Sequence, residues 1–200
     1  MEIHPHYHSL EKRLFDLVVA PVTLVTLTPI FLLINLVILL TAGWPIFYIQ
    51  KRRGLNKKIF KIIKFRTMYV GSQNNQWRYQ KDNLAPSPMY KNWTDPRFVG
   101  TGRLLSKTGL DELRQLLNII RGEMSFVGPR PLPIHETEKL NNSWDFRYKV
   151  KPGVFSQWSL NNKRHNSLTE WKKLEKETLR QGGFTYEVKT IIKTLQHIIQ

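Results

Sequence analysis

Two hundred residues provide for one compact domain with an appended segment. Against 15 Asp and Glu stand 31 Lys and Arg, a formal charge of +16. That excess calls for a polyanionic partner: nucleic acid, anionic lipid headgroups or a phosphorylated substrate. The absence of cysteine excludes disulfides, thiolate catalysis and Cys-based zinc sites.

In chain order, His4, His6 and His8 come first and read as a solvated N-terminal tail rather than a metal site. From residue 14 to residue 40 the only charged side chain is Asp16, and Leu, Val and Ile dominate. As one helix this run would measure about 40 Å, against a hydrocarbon core of about 30 Å. Its length, and the lack of a small-residue cleavage site, argue against a removable signal peptide. Two topologies are then open: a spanning anchor with a tolerated proline, or a segment that enters the membrane and returns. Thr28-Pro29 at mid-run and Pro21 before it predict a kink. Basic residues flank both ends, Lys12 and Arg13 before the run and Lys51, Arg52 and Arg53 after it. Both ends on the cytoplasmic side satisfy that pattern best. Thr23, Thr26, Thr28 and Asn35 supply the polar groups that a bent segment needs for its freed carbonyls.

Gly43-Trp44-Pro45 ends the run, and Trp44, Phe47 and Tyr48 form an interfacial aromatic group. Over residues 50–68, Ile59, Ile62, Ile63 and Phe65 interleave with Lys57, Lys58, Lys61, Lys64 and Arg66. This pattern suits a short strand or an amphipathic interfacial element with a cationic face. Residues 71–100 are rich in Asn, Gln, Ser and Pro without a sustained period and read as a long loop.

Residues 108–131, TGLDELRQLLNIIRGEMSFVGPRP, carry the strongest candidate for chemistry. Leu110, Leu113, Leu116, Leu117 and Ile120 recur at helical spacing. Thr108 stands where an N-cap belongs, which would place Asp111 and Glu112 in the first helical turn, where negative charge is favoured. Capping alone would explain two acidic residues there; catalysis is the sharper alternative. The stretch closes on Pro129-Arg130-Pro131. Downstream, residues 134–148 read as a helical surface segment and Lys151-Pro152-Gly153 as a turn. An apolar piece follows over residues 154–160, then a polar basic loop, Asn161-Asn162-Lys163-Arg164. Two helices broken at Gly182-Gly183 complete the chain, the second carrying an apolar stripe of Ile191, Ile192, Leu195, Ile198 and Ile199.

Four pieces in order resemble the bacterial sugar transferase family, the monotopic polyprenyl-phosphate sugar-1-phosphate transferases. They are KRLFD at 12–16 leading into the apolar run with Thr28-Pro29, KIIKFRTM at 61–68, LDELRQLLNIIRGEMSFVGPRPL at 110–132, and KPG at 151–153. The resemblance covers residues 11–200. It implies an α-rich fold with at most short strands, in which residues 1–45 form a tail and a re-entrant membrane helix hinged at Thr28 and Pro29. Residues 46–200 would then be a small catalytic domain on the cytoplasmic face of the bacterial inner membrane.

For activity, it implies transfer of a sugar-1-phosphate from a UDP-sugar to polyprenyl (undecaprenyl) phosphate, releasing UMP, as the first membrane step of surface polysaccharide synthesis. Asp111 would be the nucleophile and a ligand of Mg²⁺, with Glu112 orienting it or the metal, or managing a proton. Lys64, Arg66, Arg130, Lys163 and Arg164 would bind substrate phosphates. The partners implied are the UDP-sugar, the polyprenyl phosphate, membrane lipids and downstream glycosyltransferases, with no nucleic acid. The sequence departs from the family pattern at Ser106, at Arg114 and over residues 154–164. These departures suit the alternative of a catalytically degenerate, membrane-bound scaffold.

Overall fold

The structure is a computed structural model that describes residues 1–161 and 166–199. It opens with a bent helix pair, α1 (Leu10–Thr26) and α2 (Thr28–Ala42), meeting at an angle of 58°. Ser9 caps α1 by accepting the Lys12 N–H at 3.1 Å. The break falls at Leu27, just before Pro29, whose missing N–H leaves a gap in the helical ladder. Across it, Thr28 Oγ1 donates to the Leu24 carbonyl at 3.0 Å. Pro21, the other expected disturbance, lies inside α1 without ending it. Among the described residues no single helix is long and apolar enough to cross a membrane, but the bent pair has the length and composition to do so. Ala20, Phe31, Ile34 and Ile38 face the core, while Val22, Val25, Leu32, Leu33, Leu36 and Leu40 are exposed.

The histidine-rich start is not a solvated tail. Residues Pro5–His8 form a 3-10 turn docked on the C-terminal helices α7 (Leu168–Arg180) and α8 (Phe184–Ile199). The His4 N–H donates to Leu179 at 2.9 Å, and the Tyr7 hydroxyl to the Thr178 carbonyl at 2.6 Å. His6 is buried 3.6 Å from Glu187. Sequence alone hid this because the docking partners lie at the far end of the chain.

The first turns of α1 are bound to the same body. Lys12 pairs with Glu187 and lies 3.6 Å from Asp16. Asp16 accepts from Ser125 Oγ at 3.0 Å and from the Phe126 N–H at 3.2 Å. Arg13 donates to the carbonyls of Ile119 and Ile120 at 2.8 and 2.9 Å. Three charged residues within five positions thereby hold the apolar helix to the domain.

The basic stretch after the apolar run forms strands rather than an interfacial helix. β1 (Phe47–Arg53) and β2 (Ile59–Phe65) make an antiparallel hairpin with Phe47 opposite Phe65 and Arg53 opposite Ile59. A long connection containing a 3-10 segment, Ser72–Asp82, leads to α3 (Gly102–Thr108). Thr108 ends this helix instead of starting the next, and its Oγ1 donates back to the Leu104 carbonyl at 2.9 Å. Gly109, at φ 70°, turns the chain in the left-handed conformation that glycine favours at a helix end. The expected single helix is therefore a 3-10 helix, Leu110–Gln115, followed by α4 (Leu116–Ile120).

β3 (Ser125–Val127) pairs in parallel with β4 (Gly153–Phe155), and between them lie α5 (Ile134–Thr137) and the 3-10 helix Asn142–Lys149. The short α6 (Gln157–Leu160) leads towards α7. Gly183, at φ 96°, makes the predicted break between α7 and α8. On α8, Ile191 packs against the core, whereas Ile192 and Leu195 are exposed. The main core joins α1 and α2 to the hairpin, α4 and β3, through residues such as Ile38, Ile62, Phe65, Ile119 and Val127. A second core, rich in tryptophan, gathers Trp144, Trp158, Trp171 and Leu179 beneath Met89 and Leu132. The architecture is mainly helical with short strands, as expected.

Candidate active site

Asp111 and Glu112 occupy the first turn of the 3-10 helix that Gly109 initiates. Because that helix spans only six residues and α4 only five, the macrodipole offers less than a continuous helix would. Cationic side chains from two other elements compensate the carboxylates. Lys64, from β2, hydrogen-bonds Glu112 Oε1 through its Nζ, which lies 3.7 Å from Asp111 Oδ2. Arg130 Nη2 donates to the same Glu112 oxygen at 3.1 Å. Glu112 is thus held by two cations, while among the described residues nothing hydrogen-bonds the buried Asp111 carboxylate.

The loop carrying Arg130 is fixed from behind. Gly128 and Gly153 lie in adjacent, closely packed segments: a Cβ on Gly153 would sit 2.1 Å from the Gly128 nitrogen. The Gly128 N–H donates to the Phe155 carbonyl at 3.0 Å, and the Gly153 N–H to Pro129 at 2.9 Å. Arg52 Nη1 donates to the Pro131 carbonyl at 2.9 Å. Arg147 Nη2 donates to the Arg130 carbonyl and, at 2.9 Å, to the buried Glu175 carboxylate, which also accepts Trp171 Nε1 at 3.0 Å. The Arg130 guanidinium lies 5.2 Å from the centre of the Trp158 ring. Main chain and side chain of Arg130 are therefore both set before any ligand arrives.

Burial drives the two carboxylates in the same direction, and their neighbours then separate them. Desolvation raises Asp111, with Glu112 adding to the effect; Lys64 opposes it without cancelling it. Glu112 is desolvated too, but Arg130 and Lys64 outweigh that and hold it well below the usual carboxylate range. One member of the pair is a fixed anion and the other is a more basic carboxylate that no described residue hydrogen-bonds.

The expected phosphate-binding residues divide. Lys64 and Arg130 converge on the carboxylates. Arg66 is buried and directed elsewhere: its guanidinium bonds the carbonyls of Ala42 and Gly43, the latter at 2.7 Å, at the end of α2. It makes no hydrogen bond or ion pair with Asp111 or Glu112 among the described residues. Lys163 and Arg164 lie outside the described residues. Thr28 and Pro29 form the bend described above. Lys91, which no motif marked, stands close enough for its charge to act on both Asp111 and Glu112. Arg52, Arg147 and Glu175 likewise carry no motif signal strong enough to assign their supporting contacts.

A family profile described as bacterial sugar transferase matches residues 7–200. The exopolysaccharide production protein ExoY of Sinorhizobium fredii is 34% identical over 194 residues, 94% of this chain and 84% of that protein. The undecaprenyl-phosphate glucose phosphotransferase of Komagataeibacter xylinus is 31% identical over 207 residues, 96% of this chain and 36% of the relative. The undecaprenyl-phosphate galactose phosphotransferase of Salmonella typhimurium is 34% identical over 157 residues, 74% of this chain and 32% of its own length.

Proposed function

The chain belongs to the bacterial sugar transferase family, and from that premise we propose that it is a phosphoglycosyl transferase. It moves a sugar-1-phosphate from a UDP-sugar to polyprenyl (undecaprenyl) phosphate at the cytoplasmic face of the bacterial inner membrane, in polysaccharide synthesis. The names of the relatives, which include undecaprenyl-phosphate sugar phosphotransferases, support the reaction class. One observation carries the assignment of roles: Glu112 is engaged by Lys64 and Arg130, whereas Asp111 beside it has no hydrogen-bond donor among the described residues.

An Asp111 oxygen attacks the phosphorus that bears the sugar. The bond from that phosphorus to the bridging oxygen breaks, and the oxygen departs with UMP. A polyprenyl phosphate oxygen then attacks the aspartyl-linked phosphorus and expels the Asp111 carboxylate, leaving a polyprenyl diphosphate sugar. Neither displacement needs a proton removed by a strong base; each needs negative charge neutralised and the reacting groups aligned. Lys64 and Arg130 provide fixed positive charge beside the reacting phosphates, and Glu112 keeps both in place. Desolvation makes Asp111 the more basic carboxylate, hence the better nucleophile once ionised.

Among the described residues no three His, Asp or Glu side chains converge on a metal position. Asp111, which no described residue hydrogen-bonds, would be the residue to hold Mg²⁺, an ion that commonly keeps waters and substrate phosphates and so needs few protein ligands. When bound it would neutralise phosphate charge.

The bent pair is a re-entrant element. The residues before α1 bond α7, and the residues after α2 enter the catalytic hairpin, so both ends meet one body. The scaffold alternative has less support, because the carboxylate pair and its two cations are assembled.

The deciding experiment incubates purified, detergent- or nanodisc-held protein with polyprenyl phosphate, Mg²⁺ and a panel of UDP-sugars, and measures UMP. Release with one donor is expected, falling by roughly 10³-fold or more in Asp111→Asn. No release across the panel would favour the scaffold, and undiminished turnover in Asp111→Asn would exclude the nucleophile assigned.

A further inference from the structure

Arg114 stands three residues beyond Asp111 on the same 3-10 helix, Leu110–Gln115. Residues at that spacing in a 3-10 helix lie one above the other, about 6 Å apart along its axis. Arg114 therefore shares a face with the carboxylate assigned as nucleophile. Its guanidinium is set among aromatic rings drawn from three other elements. The central carbon, Cζ, lies 4.2 Å from the ring centroid of Phe47 in β1, 5.6 Å from that of Phe31 in α2 and 5.7 Å from that of Phe65 in β2. The rings also meet one another, the Phe65 centroid lying 6.0 Å from that of Phe31 and 5.7 Å from that of Phe47.

Aromatic faces stabilise a cation without supplying a counter-ion. A guanidinium has five N–H donors, and among the described residues neither a hydrogen bond nor an ion pair occupies those of Arg114. Its Nε is buried without a hydrogen-bond partner. By contrast, Arg130, Arg52, Arg147 and Arg66 each donate to a carboxylate or a carbonyl. The half-buried Arg114 also lies against the apolar helix pair. Phe31 is buried in the first turn of α2, and the two residues after it, Leu32 and Leu33, are exposed. Trp44 before β1 and Ile49 within it are exposed as well. Long cationic side chains in such a place cover their stems with apolar groups and give their heads to anions at the headgroup level.

Resting on the phosphoglycosyl transferase reading above, we propose that Arg114 binds the phosphate of the polyprenyl acceptor, at the seam between α2 and the 3-10 helix that carries Asp111. The cations then divide by substrate. Lys64 and Arg130, anchored on Glu112, serve the donor's diphosphate, and Arg114 serves the acceptor. An acceptor phosphate must approach an Asp111-linked phosphorus that is itself anionic, so the second displacement needs positive charge of its own. Arg114 donates hydrogen bonds to the oxygens that do not attack; no bond forms to it and no proton leaves it. Leu32 and Leu33, exposed on α2, offer apolar surface to the isoprenoid chain.

The test compares the full-length wild type, Arg114→Met and Arg114→Lys in nanodiscs, with thermal melting as the folding control. The two displacements are separate half-reactions, so kcat/KM for the UDP-sugar reports the first and kcat/KM for polyprenyl phosphate the second. Arg114→Met is expected to lose roughly 10- to 100-fold in kcat/KM for polyprenyl phosphate, the range for hydrogen bonds to a charged group, while the value for the UDP-sugar holds. Arg114→Lys keeps the charge and loses the fork, and should recover part of that loss. A clamp that merely fixes the 3-10 helix to α2 would lower both values together, since Asp111 serves both displacements, and that result would overturn the proposal. Equilibrium binding of polyprenyl phosphate without donor should weaken to the same extent in Arg114→Met. Equal binding in wild type and variant, with the variant released more readily from phosphatidylglycerol vesicles, would assign Arg114 to bulk headgroups and also overturn it. Either of those results leaves UMP release, and so the enzymatic reading, standing. Arg114-dependent binding of polyprenyl phosphate with no UMP from any donor would uphold the lipid-phosphate site and remove the enzymatic reading. Should Arg114→Met fail to fold, the split between the two kcat/KM values in Arg114→Lys decides alone.

Discussion

Asp111 and Glu112 are adjacent in the chain and opposite in circumstance, and the difference can be measured. Asp111 has a folded-state pKa above its ordinary value of 3.8 because burial disfavours its charge. A group raised in this way contributes stability below its unfolded value, and that contribution is lost as pH rises through the folded one. Towards neutral pH the burial of this carboxyl therefore opposes folding. Asp111→Asn, inactive in UMP release, should melt higher than wild type at pH 7, and the gain should vanish towards pH 4; calorimetry at the two pH values checks this. Glu112 has the reverse sign: its pairing favours folding above its unfolded pKa and is lost on acidification. Glu112→Gln should melt lower at pH 7 and lose about 10²-fold in kcat, because Lys64 and Arg130 lose their common anchor. A variant with full activity would mean that the two cations hold their positions without it. The pair, Lys64 and Arg130 were all legible in the sequence through ordered motifs. Arg66 sat in an equally basic motif, but it lies just past the end of β2, where the carbonyls at the end of α2 need donors and take its guanidinium.

Among the elements, the parallel pair β3 and β4 ties the Arg130 loop to the rest of the domain, and glycine makes that close approach possible. A methyl group on Gly153 would collide with backbone at 2.1 and 2.6 Å, atoms that cannot swing aside as a side chain can. Gly153→Ala should destabilise by about 3 kcal/mol, at the upper end for overpacking, and lower Tm by roughly 6–12 °C for a chain of this size. UMP release should fall beyond what the unfolded fraction explains, since the Gly153 N–H also bonds Pro129 at 2.9 Å. A variant melting like wild type would mean that the two segments part easily. The sequence announced this turn through Lys151-Pro152-Gly153 but not its parallel partner 28 positions earlier, since register between distant segments leaves no local trace. The same distinction explains Thr108. A Thr three residues before an Asp is a fair N-cap pattern, yet Gly109 is the stronger local signal because its positive φ ends one helix before the next begins. The break between α7 and α8 was legible for that reason too: glycine marks it directly.

For the molecule as a whole, the net charge of +16, the exposed apolar faces of α1 and α2, and basic residues on both flanks of the bend support the proposed attachment to an anionic membrane from one side. The sequence left spanning and re-entrant topologies open because hydropathy counts residues and cannot say where the chain's two ends go. In the folded chain, residues before α1 bond α7, Lys12 pairs with Glu187 on α8, and Asp16 accepts from β3. A spanning α1–α2 would put these N-terminal groups on the opposite side of the bilayer from their partners. It would part Lys12 from Glu187 and Asp16 from Ser125 and Phe126, and breaking a buried pair by removing one partner costs about 3–5 kcal/mol. The absence of cysteine offers a clean test, since a single thiol can be introduced at Glu2 or at Lys58, both exposed. In intact cells an impermeant maleimide should label neither Glu2→Cys nor Lys58→Cys, and both should react after lysis. Labelling of Glu2→Cys alone would establish a spanning helix. Pro29→Leu restores a backbone donor at the bend and should shift a fraction of Glu2→Cys towards external labelling, whereas the same change combined with intact Lys12 and Asp16 contacts should shift less than with Asp16→Ala. Equal labelling in the two backgrounds would mean that the hinge, and not the charged clasp at residues 12–16, decides on which side the chain begins.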